Sequence, residues 1–94
     1  MDRDNDYSAL RAILDRAYDF AATGKGHQRH GQSGLPWIAQ RHVQIGREVG
    51  TGFAIGQAVK KSLEAGGMDK DAAVRELLGA ITYLASAVYL LEEK

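Results

Sequence analysis

Residues 69–91, DKDAAVRELLGAITYLASAVYLL, decide the fold. The spacing of their apolar residues predicts one helix, since these recur every three or four positions. The apolar set is Val74, Leu77, Leu78, Ile81, Leu84, Ala85, Val88 and Leu91. Asp69 is expected to begin this helix, and Asp71 lies favourably near its positive end.

The same stretch holds 15 consecutive uncharged residues, from Leu77 to Leu91. A membrane span needs about 20 apolar residues, and this run includes Thr82 and Tyr83, so we expect a core helix and no membrane partner. Two other short helices cannot cover a helix that is apolar almost all round. The surplus apolar surface therefore predicts a subunit interface.

Upstream, the spacing predicts a helix over residues 4–22, with Asp4, Asn5 and Asp6 as candidate N-caps. Its apolar face consists of Leu10, Ile13, Leu14, Ala17, Phe20 and Ala21. Thr23 and Gly24 are expected to end it, because glycine readily adopts the left-handed conformation of a C-cap.

Residues 23–36, TGKGHQRHGQSGLP, contain four glycines and no acid, which predicts a loop. Pro36 suits the first turn of a second helix, predicted over residues 36–65. Gly46, Gly50, Gly52 and Gly56 interrupt that pattern, each at a cost of roughly 1 kcal/mol in a helix interior. Either the helix is broken or kinked there, or the glycines admit a neighbouring backbone; their spacing of four favours close packing.

The predicted fold is therefore all-α, with three helices: a shorter N-terminal one and two long antiparallel ones. The chain has 94 residues and no cysteine, so residues 1–94 form one domain whose core is thin and has no disulfide. Association with further copies is the expected remedy. Twelve basic residues balance twelve acidic ones, which argues against DNA or RNA as partners. The polar N-terminus is no signal peptide, so we expect a cytoplasmic protein.

The charge is unevenly distributed, since 28 residues without an acid separate Asp19 from Glu48. This stretch carries Lys25, Arg29, Arg41, Arg47, His27, His30 and His42. Basic side chains among glycines, whose backbone N–H groups can approach phosphate oxygens, are typical of an anion site. The alternative is a solvated loop with no specific role. The order of residues excludes a Walker P-loop.

Metal binding and catalysis have little support in the sequence. His27 and His30 are three residues apart, but they have no nearby acid or cysteine to complete a zinc site. The acids Glu48, Glu64 and Glu76 stand alone on their predicted helices, without the E-x-x-E set of helical pyrophosphohydrolases, and Glu92 and Glu93 lie at a fraying end. Asp15 and Asp19, with Arg11 and Arg16 beside them, indicate ordinary surface ion pairs. We expect no metal, no cofactor and no enzyme activity.

Two aromatic residues, one just after the basic loop and one at the start of the first helix, have candidate roles. Trp37 is expected to anchor the loop onto the core. Tyr7, among polar neighbours, could stack on a base or pack against a neighbouring subunit.

Together, the stretches AATGKGHQRHG, GFAIGQAVKK and RELLGAITYLASAVYLLE in a small cysteine-free helical chain resemble the small helical phage anti-CBASS proteins. These proteins are sponges that sequester the cyclic oligonucleotide messengers of bacterial antiphage defence. The resemblance covers residues 5–93 and implies a homohexamer in the host cytoplasm. It implies that the chain binds a cyclic dinucleotide, such as 3′,3′-cyclic GMP-AMP, and releases it intact, so that effectors are not activated.

The resemblance also implies roles for particular residues. The ligand would lie between the N-terminal parts of two head-to-tail protomers, with Lys25 on a phosphate and Tyr7 on a base, although Tyr7 is about one helical turn further from Lys25 than the pattern requires. Arg75 is the candidate for a second site that holds cyclic trinucleotides. The candidate dinucleotide-binding set is Tyr7, Arg11, Thr23, Gly24, Lys25, Gly26, His27, Arg29 and His30.

Two other functions stay open at this point. One is a helical oligomeric adaptor or inhibitor whose basic loop binds an acidic protein partner. The other is a small nucleotide hydrolase.

Overall fold

A computed structural model of the chain describes residues 6–23 and 34–94, and these residues are helical with no strand. The elements are α1 (Ser8–Thr23), a 3₁₀ turn (Trp37–Ala39), α2 (Arg41–Val49), α3 (Gly52–Ala65) and α4 (Lys70–Glu93). The all-α prediction is confirmed. The count of three helices is wrong, because four α-helices lie within the described ranges.

The predicted second helix, residues 36–65, is interrupted twice. Pro36 has extended backbone angles and precedes the 3₁₀ turn instead of lying in a helical turn, and Gln40 is also extended before α2 begins. At Gly50 the backbone has φ 96° and ψ 170°, and its N–H donates to the Gly46 carbonyl oxygen at 2.8 Å. That region of backbone space is essentially accessible only to glycine, so Gly50 ends α2.

The four glycines of this segment do different things. Gly46 lies so close to α4 that a Cβ there would be 2.5 Å from Leu90 Cδ1, so its missing side chain admits Leu90. A Cβ on Gly52 or Gly56 would meet nothing within 4 Å. The predicted second helix is therefore broken at Gly50. Close packing within the protomer is found at Gly46 and not at Gly52 or Gly56.

Helices α3 and α4 form an antiparallel hairpin with a core of small residues. A connection of four residues joins them, and the Asp69 carboxylate caps α4 by accepting from the Ala72 N–H at 3.0 Å. This confirms the predicted start of the last helix. Alanines allow the two backbones to approach closely, and the buried ring of Tyr83 packs among them. The buried cluster comprises Ala54, Ala58, Ala80, Tyr83 and Ala87.

An aromatic cluster joins the 3₁₀ turn and α2 to this hairpin. Tyr83 meets Phe53 and His42 edge-on at centroid distances of 6.1 and 6.0 Å. Trp37 meets His42 and Tyr89 in the same way, at 6.1 and 6.2 Å. Such edge-to-face pairs stabilise beyond the area they bury. Trp37 thus packs on the core, as the sequence predicted for this residue.

Helix α1 packs on α4 and is much less buried. Within it only Ala17 is buried, whereas Leu10, Ile13, Leu14 and Tyr18 are exposed. Thr23 is its last described residue, and the predicted C-cap Gly24 lies outside the described residues. A backbone hydrogen bond runs from the Arg11 N–H to the Tyr7 carbonyl oxygen. The predicted caps Asp4 and Asn5 lie outside the described residues.

By length and composition α4 could cross a membrane, and it is the only helix of the described ranges with this property. Core helices of soluble proteins have the same properties, so this feature alone is weak evidence for a membrane.

Candidate functional site

The predicted ligand-binding residues that the structure describes lie at opposite ends of α1. Tyr7 and Arg11, one helical turn apart and both exposed, are at its start. Thr23 is its last residue, and its hydroxyl donates back to the Asp19 carbonyl oxygen at 3.0 Å. Sixteen residues of helix place Tyr7 and Thr23 about 24 Å apart. One protomer therefore does not bring these residues together around one small ligand.

The central part of the predicted site lies outside the described residues. It comprises Gly24, Lys25, Gly26, His27, Arg29 and His30. Ala22, before this segment, and Leu35, after it, both belong to the lining of one cavity.

This cavity lies between α1 and α4 and has a volume of about 540 Å³. Its walls are mostly carbon, and the lining residues with polar side-chain groups are Tyr18, Trp37, Gln40 and Thr82. The Thr82 hydroxyl donates to the Gly79 carbonyl oxygen at 2.8 Å and so remains tied to α4. A concave apolar wall with few polar groups is typical of a small-molecule site. The described lining is Leu14, Ala17, Tyr18, Ala21, Ala22, Leu35, Trp37, Gln40, Ile81, Thr82 and Ala85.

Two aromatic rings border the cavity, and the sequence did not assign either to ligand binding. Tyr18 is 72% exposed and lies little more than one turn before Thr23, whereas Tyr7 is at the far end of the helix. Trp37, in the 3₁₀ turn, is the second aromatic residue of the lining. The signal in the sequence was the spacing of Leu14, Tyr18 and Ala21, which places them on one helical face.

One basic residue of the acid-free stretch, Arg47, is bonded within the protomer. The Arg47 guanidinium donates Nε to Glu93 Oε1 and Nη2 to Glu93 Oε2, both at 2.9 Å, and Nη1 to the Ile38 carbonyl oxygen at 2.7 Å. The hydrogen bond from Arg47 lowers the pKa of Glu93, and the same bond raises the pKa of Arg47. The interpretation of Glu93 as part of a fraying end is wrong, because this bidentate pair holds it.

His42 is also a structural residue. It is partly buried, and its ring packs between Trp37 and Tyr83. Arg47 and His42 therefore both have partners within the protomer. Lys25, Arg29, His27 and His30 are the basic residues of the glycine-rich segment itself.

Two of the described acidic residues, Glu64 and Glu76, pair with lysines. Within residues 6–23 and 34–94, no group of three or more histidine, aspartate or glutamate side chains could hold a metal ion. Glu76 lies 3.6 Å from the Lys61 ammonium, with both side chains 13% exposed, and Glu64 lies 4.0 Å from that of Lys60. Each of these glutamates thus has a lysine partner on α3.

Arg75, the candidate for a trinucleotide site, is exposed near the start of α4. It is not among the lining residues of the cavity, and neither are Tyr7, Arg11 and Thr23.

Comparison of the chain with protein-family models, with curated proteins and with solved structures gives no match.

Proposed function

We propose that the protein binds and sequesters a cyclic dinucleotide without altering it, as a homo-oligomer in which two protomers share each site. The observation that carries this proposal is the glycine-rich basic segment from Gly24 to His30, flanked on both sides by residues of one apolar cavity. A cyclic dinucleotide has two phosphates and two flat bases. Cationic donors beside an apolar wall match both parts of such a molecule.

The separation of Tyr7 and Thr23 along α1 supports a shared site. If Tyr7 and Thr23 contact the same ligand, they come from different protomers, because one helix holds them about 24 Å apart. A head-to-tail pair would place the start of one α1 beside the end of another. Two-fold pairing then presents two copies of Lys25 to the two phosphates. A hexamer is the assembly we expect to contain three such pairs.

The cavity offers a second candidate for base stacking. Tyr18 is exposed at the rim, on the same helix end as the basic segment, so it can serve a base held within one protomer. Stacking of a base on an aromatic ring contributes roughly 1–3 kcal/mol. Either tyrosine would supply this contact, and the geometry of the assembly decides between Tyr7 and Tyr18.

In a cell, such a protein would lower the free concentration of the messenger and so block the activation of defence effectors. Binding without turnover suits this role, because sequestration depends on affinity alone. A separate site for cyclic trinucleotides at Arg75 remains part of the proposal.

The decisive experiment is calorimetric titration of the protein with 3′,3′-cyclic GMP-AMP. We expect saturable binding by the wild-type chain and a loss of at least tenfold in affinity for Lys25→Ala, since one charge-assisted contact to phosphate is removed from each protomer. Lys60→Ala is the matched control, because Lys60 is an exposed lysine on α3 that does not belong to the cavity lining. Equal binding by wild type and Lys25→Ala would refute the site.

A second titration identifies the stacking residue. Tyr7→Ala and Tyr18→Ala remove the two candidate rings from opposite ends of α1, and we expect only one of them to weaken binding. Chromatography of the ligand released by heating should return it unchanged. Magnesium-dependent loss of the nucleotide would instead indicate a hydrolase, and capture of one acidic protein without nucleotide binding would indicate an adaptor.

A further inference from the structure

The cavity between α1 and α4 has a buried amide residue in its lining. Gln40 is 8% exposed and belongs to that lining, so the cavity is the side from which a ligand can reach it. The 3₁₀ turn fixes its place, because the Gln40 N–H donates to the Trp37 carbonyl oxygen at 3.1 Å. This turn brings an aromatic residue and an amide residue, three positions apart in the chain, to one cavity.

The fold does not use the side chain of Gln40. The residue is the N-cap of α2, a position from which a side chain can accept from the first helical turn, but Gln40 makes no such bond. Its backbone carbonyl oxygen accepts from the N–H groups of Val43 and Gln44, both at 3.0 Å. Within residues 6–23 and 34–94 the side-chain amide has no hydrogen-bond partner. A buried polar group without a partner lowers stability, so folding does not explain an amide at this position.

The chemistry of the lining selects the kind of molecule that fits. Trp37 and Tyr18 supply aromatic rings, on which a flat heterocycle can stack. The Gln40 amide has an acceptor, Oε1, beside a donor, Nε2, so it pairs fully with a ligand that offers a donor beside an acceptor. A purely apolar occupant would leave this amide unpaired, which costs binding free energy. The cavity is therefore suited to a heteroaromatic base and not to a hydrocarbon chain.

We propose that the cavity binds the adenine base of a nucleotide and that Gln40 recognises the 6-amino group of that base. Adenine carries the N7 acceptor beside the N6 donor, and a glutamine amide bonds to both at once, whereas guanine presents two acceptors, N7 and O6, at the same edge. Oε1 of Gln40 accepts from the 6-amino group, and Nε2 donates to the neighbouring ring nitrogen. The volume of about 540 Å³ lies within the range of small-molecule sites.

This inference rests on the proposed function, since it assigns one base of the cyclic dinucleotide to a place in the protomer. Its test uses nucleosides, which carry no phosphate and so do not need the basic segment. The two proposals can therefore fail separately.

The fluorescence of Trp37 measures occupation of the cavity, because Trp37 is the only tryptophan of the chain and belongs to the lining. The probes are adenosine and purine riboside, which lacks only the 6-amino group. We expect a saturable change in fluorescence with adenosine. Purine riboside should bind the wild-type protein at least tenfold more weakly, since a site built around a hydrogen bond rejects the analogue that cannot form it.

Gln40→Leu removes the amide and retains a side chain of similar length. Gln44→Leu is the matched control, because Gln44 is exposed on α2 and does not belong to the lining. Gln40→Leu should bind adenosine at least tenfold more weakly than wild type and should no longer distinguish adenosine from purine riboside. Gln44→Leu should bind both nucleosides as the wild type does.

Thermal unfolding separates recognition of a ligand from a structural role of the amide. Because this amide has no partner within the described ranges, Gln40→Leu should be at least as stable as wild type without ligand. Adenosine should raise the unfolding midpoint of wild type more than that of Gln40→Leu. A Gln40→Leu chain that is unfolded, or clearly less stable than wild type without ligand, would show that the amide serves the fold and would overturn the inference.

Two further results would overturn it. One is the absence of any saturable change in Trp37 fluorescence with adenosine, and the other is equal affinity of the wild type for adenosine and purine riboside. Binding of adenosine without binding of 3′,3′-cyclic GMP-AMP would refute only the proposed sequestration. Binding of 3′,3′-cyclic GMP-AMP that Lys25→Ala weakens and Gln40→Leu does not would refute only the adenine site.

Discussion

The unit formed by α2, α3 and α4 differs from α1 in how it is held together. Within the unit, buried alanines line the contact between α3 and α4, and an aromatic cluster packs beside them. Leu90 also approaches Gly46 closely, and Arg47 forms a bidentate pair with Glu93. Helix α1 has one buried residue, Ala17, and a cavity of about 540 Å³ separates part of it from α4.

The three-helix unit therefore supplies most of the stability, whereas α1 carries predicted binding residues. Burial of apolar surface supplies most of the free energy of folding, and the unit of three helices contains most of it. The weakly packed helix carries the predicted binding residues Tyr7, Arg11 and Thr23. Local elements with few buried contacts open most readily, so α1 is the part of the described chain whose order can respond to a ligand or a second copy.

The largest expected effect tests whether the three-helix unit holds the fold. Tyr83→Ala removes a buried ring that contacts Phe53 and His42 edge-on, and it should lower the free energy of unfolding by about 3–5 kcal/mol. Tyr18→Ala, on α1, should change it by no more than about 0.5 kcal/mol because its ring is mostly exposed. Urea unfolding measures both. Equal losses would show that α1 is as tightly integrated as the unit.

An intermediate effect tests the break between α2 and α3. Gly50→Ala should destabilise the protein by about 1–3 kcal/mol, because alanine rarely adopts the backbone conformation found there. Gly56→Ala is the matched change in open space on α3, and it should stabilise the protein by about 0.5–1 kcal/mol through higher helix propensity. Thermal unfolding should therefore shift in opposite directions. A stabilising Gly50→Ala would mean that one continuous helix forms.

The smallest expected change in stability concerns the ion pair between Arg47 of α2 and Glu93 of α4. Because Arg47 lowers the pKa of Glu93, the folded protein binds fewer protons than the unfolded chain. The stabilisation is then complete above the ordinary pKa of glutamate and is lost as the pH falls through the lowered value. The difference in stability between wild type and Glu93→Gln should be small, since the pair is partly exposed.

Denaturant unfolding at neutral and acidic pH measures that difference, which should shrink on acidification and on addition of salt. Glu92→Gln, which removes the same charge from another side of α4, is the control. If the difference in unfolding free energy between wild type and Glu93→Gln does not change with pH, the ion pair does not stabilise the contact between α2 and α4.

Parts of the fold were predictable because their signals are local. The start of α4 directly after Asp69 follows from capping chemistry within a few residues. The break at Gly50 could not be predicted with certainty, because four glycines offered the same local freedom. Only Gly50 adopts the conformation that ends a helix, while Gly46 instead faces Leu90.

The candidate site was predictable in its chemistry and not in its geometry. The acid-free stretch indicated an anion site, but the sequence could not show that Arg47 pairs with Glu93, 46 residues later, or that His42 joins an aromatic cluster. It favoured Tyr7 as the stacking ring, whereas Tyr18 borders the cavity. Contacts between distant segments depend on how helices pack, and spacing along the chain does not contain that information.

The sequence by itself determined that this chain is helical, where its last helix begins, and that its basic residues cluster among glycines. Helical periodicity and capping act over a few residues, so a linear pattern suffices for them. Only the tertiary structure decided which apolar face of α4 enters the core, which glycine breaks the second helix and which cations are used for folding. Those outcomes depend on side chains that are distant in sequence competing for the same space.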